Sequence, residues 1–218
     1  MFSALFITGF GLFFLADPPV TVKPAEATVK EPALRQELLD RVKKDQDARF
    51  KLIALNPVGA SKEVREKNQA ALKVAMESLA AIDTENRNWL KERIEKEGWP
   101  TISRVGKDGA HAAWLLVQHA DSNREFQKEC LKKIEVAVAN KEAAPIDLAY
   151  LTDRVLTGEG KKQRYGTQLK IVDGKFVVSP VEDEDKLDER RKSLGMPTMA
   201  EYLKSAEAMY RNEQPKKK

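Results

Sequence analysis

The stretch AHAAWLLVQHA, Ala110 to Ala120, places apolar side chains on every side of a helix. A helix of that kind must be wrapped by other elements, because no face of it suits water. The rest of the chain supplies the wrapping. After Pro32, Leu34, Leu38, Val42, Phe50 and Ile53 recur at helical spacing up to the breaker cluster Asn56-Pro57-Val58-Gly59. A second helix opens at Ser61 with a stripe of Val64, Ala71, Leu72, Ala75, Met76, Leu79 and Ile82. The short connection predicts an antiparallel pair. Asp83 or Thr84 is expected to cap a third helix, which Gly98 and Pro100 terminate. The buried helix then starts near Lys107. Ser122 with Glu125 forms a capping box for the next one, Asn123 to about Lys141. Pro145 suits the first turn of a further helix, stopped by Gly158 and Gly160.

The pattern changes at QLKIV-DG-KFVVS. Two short β-rich runs flank Asp173-Gly174, a type I′ hairpin signal. A two-residue loop pairs Leu169 with Val178, Ile171 with Phe176 and Val172 with Lys175, putting Leu169, Ile171, Phe176 and Val178 on one face. That face must pack on helices, since a bare hairpin is marginal. An acidic turn and a short helix ending at Gly195 follow. Thr198 with Glu201 then caps the last helix. The expected fold class is therefore helix-dominated α+β: an irregular bundle of about six or seven helices with one hairpin in the C-terminal half.

The organisation read from the chain is an apolar segment 1–16, a linker 17–30, one domain 31–212 and a basic tail 213–218. Within the domain, 31–82 is a helical hairpin. Phe2 to Ala16 are apolar except for Ser3 and Thr8, too short for a bilayer span and suited to a signal-peptide core. An uncleaved anchor or a buried apolar strand or helix is the alternative. The expected location is exported, periplasmic or extracellular, with membrane contact only through this segment. Charge signs are interspersed, with 38 basic and 34 acidic residues and a net charge of +4, which argues against a nucleic-acid partner. The lone Cys130 and two histidines offer no disulfide or metal set, and no phosphate loop, dinucleotide glycine pattern or nucleophile elbow occurs, so no cofactor is implied.

Three motifs concentrate polar groups. Gln118, His119 and Asp121 close the buried helix. Asp153 and Arg154 lie in LAYLTDRV, with Asp153 at the edge of an apolar face, where a carboxylate needs a partner such as Arg154, Arg164 or His119. Gln163, Tyr165, Thr167 and Gln168 flank Gly166 in QRYGTQ. His119 is a candidate general base and Asp153 its orienting carboxylate; Gln118, Asp121, Arg154, Gln163, Tyr165, Thr167 and Gln168 are candidate ligand-binding groups. His111 reads as an ordinary surface residue, and Asp121 is well placed to accept backbone N–H bonds at a helix junction.

With GWP (Gly98 to Pro100), AAWLLVQHAD, LAYLTDRV, QRYGTQ and, more weakly, DERRKSLGMP, the chain resembles a bacterial family known as a domain of unknown function. The resemblance covers roughly Asp83 to Leu203, within the region 83–212, and implies no reaction. It picks out Gln118, His119, Asp121, Asp153, Arg154, Gln163, Tyr165, Gly166, Thr167 and Gln168, and leaves His111 aside. Three readings follow: an exported binding or interaction module with a polar cleft for a small polar ligand or peptide; a hydrolase or transferase using His119 with Asp153; and a scaffold whose motif residues form a buried polar network.

Overall fold

Val105 and the run from Ala112 to Val117 are almost wholly withdrawn from solvent, and the other helices are arranged around them. The computed structural model describes residues 29–57, 60–172 and 175–213. In chain order these form α1 (Pro32–Leu55), α2 (Lys62–Glu97), α3 (Ile102–Gln118), α4 (Arg124–Ala139), α5 (Pro145–Gly158), β1 (Leu169–Val172), β2 (Lys175–Val178), a 3₁₀ turn (Glu184–Lys186), α6 (Leu187–Ser193) and α7 (Met199–Glu213). The fold is the expected helix-dominated α+β arrangement. The apolar segment, most of the linker and the Asp173-Gly174 turn lie outside the described residues. Among the described residues no helix is long and apolar enough to cross a membrane.

Local chemistry explains most of the boundaries. Pro32 and Pro145 open α1 and α5 at positions where a missing N–H costs nothing. Gly98 ends α2 with φ 79°. α3 has a first turn from Ile102, then a kink at Gly106 (φ 76°, ψ 169°). The uninterrupted helix therefore begins at Lys107, as its sequence indicates. The hairpin has the expected register, Leu169 opposite Val178 and Ile171 opposite Phe176. Val172 and Val177 are exposed while Leu169, Phe176 and Val178 are half-buried.

Three expectations are corrected. α2 runs unbroken through Asp83 and Thr84, because neither residue halts a helix whose flanks are good helix formers. Asp83 instead serves the inward face, where Arg49 Nη2 donates to it at 2.5 Å. The cap of α4 is Asn123, whose Oδ1 accepts from Phe126 N–H at 3.0 Å, while the Ser122 hydroxyl accepts from Arg87 at 2.9 Å. In α1 the buried stripe is Leu34, Leu38, Asp45, Arg49 and Leu52, leaving Phe50 exposed.

The apolar interior falls into two parts. The main core gathers Leu34, Leu38, Leu90, Ile94, Trp99, α3 and the inner faces of α4 and α5. A separate small cluster of Leu52, Ala75 and Leu79, with Ala48, Leu55 and Leu72 around it, joins the distal halves of α1 and α2. With 36 residues α2 spans about 54 Å, so the hairpin reaches well past the bundle it belongs to.

Candidate functional site

α3 closes at His119, whose backbone N–H bonds Leu115 O at 3.1 Å. Its imidazole turns toward α1, and Nδ1 donates to Asp45 Oδ2 at 2.8 Å. Asp45 also accepts from Gln46 Nε2 at 2.9 Å and from Arg49 Nε at 3.2 Å. Arg49 continues the chain to Asp83. His119, Asp45, Arg49 and Asp83 thus bind α3, α1 and α2 into one polar line. Asp45 and Arg49 stand among leucines because Leu38, Asp45 and Leu52 are each seven residues apart, two turns of one stripe.

The electrostatics divide the carboxylates. Burial disfavours the Asp45 charge, but His119 and Arg49 outweigh it and hold the carboxyl down at about 2. At Asp83 burial dominates; with Asp45 nearby and Arg49 opposing, the carboxyl is pushed up to about 7. One guanidinium serves two carboxylates, and only one of them ionises readily. Burial lowers the His119 pKa, with the Arg49 charge adding to the effect and Asp45 opposing it. The imidazole is neutral at pH 7, its proton on Nδ1 toward Asp45.

The expected pairing of His119 with Asp153 is therefore corrected: Asp45 is the carboxylate on the histidine. Asp153, fully buried on α5, receives the backbone N–H groups of Arg164 (2.7 Å), Tyr165 (3.0 Å) and Thr167 (2.8 Å), and the Thr167 hydroxyl (3.0 Å). Burial raises its pKa and these donors oppose the rise. Gln163 secures the same loop from its other end, accepting from Gln168 N–H and donating to Gln168 O and Ser179 O. Tyr202 closes it by donating to Thr167 O at 3.0 Å. Gly166 sits at φ 67°, and an added Cβ would meet Met199 Sδ at 3.0 Å. Asp153, Gln163 and Thr167 thus build the loop. Tyr165 is half-buried against the main core, its ring beside Arg164.

Asp121 and Arg154 meet in a two-pronged ion pair, Nε to Oδ1 at 2.9 Å and Nη2 to Oδ2. Burial works against the Asp121 charge, and Arg154 reverses this to a lowered pKa. Arg154 Nη1 reaches Gln168 Oε1 at 3.3 Å, and Gln168 Nε2 donates to Thr167 Oγ1, which leads back to Asp153. The helix-end and α5 motifs are therefore joined to the loop. Gln127, absent from the sequence-based candidates, is fully buried and donates to Val117 O and Gln118 O.

One motif residue stands apart. The Gln118 side chain is 3 % exposed, and neither its Nε2 nor its Oε1 has a hydrogen-bond partner. Trp114, four residues earlier on the same face, has an equally unpartnered Nε1. His111, read from sequence as a surface residue, is half-exposed and bonded through Nδ1 to buried Asp147 at 2.9 Å. Asp45, Arg49 and Asp147 escaped the sequence reading, and Asp83 entered it only as a helix cap, although a carboxylate and a guanidinium four residues apart within the leucine stripe of α1 were a visible signal.

No group of three or more metal-ligating side chains occurs among the described residues, and Cys130 is buried, its thiol pushed up to about 12 by burial. The chain matches no curated protein and no solved structure. A family model does match, and it extends through the first two helices, where the sequence motifs are least specific. With residues 32–213 covered, the chain belongs to a family of unknown function, DUF6624.

Proposed function

We propose that this chain is an exported binding module that takes a small polar ligand or peptide where the end of α3 meets α5 and the Gln163–Gln168 loop. The observation that carries the reading is Gln118. Its neighbours Asp121, Arg154, Gln127, Gln168 and His119 all have partners. A buried amide with neither atom bonded costs about 1–3 kcal/mol per lost partner, and such a group calls for a reason beyond packing. Export rests on the apolar run Phe2–Ala16.

The test is thermal unfolding of the full chain and its Gln118→Met variant, each alone and with a panel of amino acids, dipeptides, simple amides and sugars. The reading expects at least one compound to raise the wild-type midpoint and leave the variant unmoved. A panel that moves neither protein, with a variant more stable than wild type, would make Gln118 an orphan of the core and overturn it.

The His119–Asp45 bond favours a second reading, a hydrolase or transferase in which Asp45 fixes the imidazole tautomer that a general base requires. That reading expects ester or amide turnover that falls at least about a hundredfold in Asp45→Asn; absence of any turnover in wild type removes it.

A further inference from the structure

α3 and α5 face each other as two rows with matched spacing. His111, Trp114 and Gln118 lie at i, i+3 and i+7 on α3; Asp147, Tyr150 and Arg154 have the same spacing on α5. The first rung is the His111–Asp147 bond at 2.9 Å. The second is an edge-on contact of Trp114 and Tyr150, ring centroids 6.2 Å apart. Advancing four residues on each helix brings Gln118 level with Arg154, and there the ladder stops: Arg154 turns to Asp121 and Gln168, and the Gln118 side chain bonds nothing.

The unused groups on this stretch of α3, about one turn apart, are the Trp114 indole N–H, the Gln118 amide N–H and the Gln118 side-chain carbonyl. We propose that a primary carboxamide occupies this third rung, a reading that rests on the binding function above and names its ligand class. An amide oxygen has two lone pairs, one for each waiting N–H, and an amide N–H is the donor that Gln118 Oε1 lacks. A carboxylate would set a charged acceptor against that oxygen, and an ammonium would meet the indole and amide donors. The surroundings hold no spare charge for an ion, because Arg154 is committed to Asp121 and His119 is neutral beside Asp45. The His111 side chain at one end of the α3 row is 39 % exposed, and that of Asp121, three residues beyond Gln118, is 44 % exposed.

The experiment is protein-observed NMR of the full chain titrated with acetamide, N-methylacetamide and acetate. Acetamide should shift the Trp114 indole N–H resonance while acetate leaves it in place, and N-methylacetamide, whose trans N–H points away from its carbonyl oxygen, should act more weakly than acetamide. Gln118→Met should weaken the amide response by at least about tenfold, the scale of one lost hydrogen bond. Acetamide shifts that persist undiminished in Gln118→Met, or shifts from acetate or N-methylacetamide equal to those from acetamide, overturn the assignment. If another compound of the wider panel binds through Gln118 while the amides do not, the ligand class is wrong and the binding function stands. If nothing in either set binds, the binding function falls and the ligand class with it.

Discussion

At the scale of single residues, like side chains have unlike tasks. Asp153 and Asp45 are both buried aspartates on helices, yet one organises backbone and the other a side chain. Asp153→Ala leaves three N–H groups and a hydroxyl without an acceptor, so equilibrium urea unfolding should show a loss of about 3 kcal/mol or more. Asp153→Asn keeps one acceptor oxygen and should lose less. His119→Ala exposes a different weakness: the Asp45 carboxylate stays buried with only Gln46 and Arg49 to satisfy it. Its thermal midpoint should fall by several degrees, since 1 kcal/mol is about 2–4 °C in a domain of this size. Gln118→Met should move the other way, because it removes polar atoms that bond nothing.

At the scale of elements, the sequence announced what is periodic and stayed silent on what is relational. The buried α3, the hairpin register and the Gly98 stop follow from spacing, turn chemistry and backbone angle, all local properties. The unbroken α2 does not, because Asp83 reads locally as a cap and acts through Arg49, 34 residues away in the chain. The same holds for the histidine's partner: 74 residues separate Asp45 from His119, and Asp45 lies outside the motifs from which Asp153 was drawn. The motif residues were recognisable as a group, whereas their division into loop builders and a lone unsatisfied amide needed three dimensions. The loop offers an element-scale check. Gly166→Ala combines a left-handed backbone with a close approach to Met199, and should cost about 1–2 kcal/mol by chemical denaturation, whereas Gly160→Ala, which meets nothing within 4 Å, should cost only the backbone part.

At the scale of the whole molecule, the line from His119 to Asp83 makes stability depend on pH in two opposed ways. Asp83 has a folded pKa of about 7 against an ordinary 3.8, so its stabilising effect is complete below pH 4 and lost as pH rises to 7. His119 has a depressed pKa, so its contribution is present above 6.5 and is lost on acidification. Comparing wild type with Asp83→Asn by differential scanning calorimetry isolates the first effect: the difference in midpoint should move in the variant's favour from pH 4 to pH 7 and be flat above about pH 8. The division of the interior has its own outcome. A cluster of three buried side chains cannot hold two helices together as firmly as the main core does. Amide hydrogens in residues 62–80 should therefore exchange through a partial opening, while those of 107–118 await the unfolding of the entire domain. Asp45, Arg49 and Asp83 lie at the border of these two cooperative units, so whatever tightens the tie between α3 and the helical hairpin at that border should slow exchange far out along α2, and the protection of distant amides becomes a reporter of the His119–Asp45 contact.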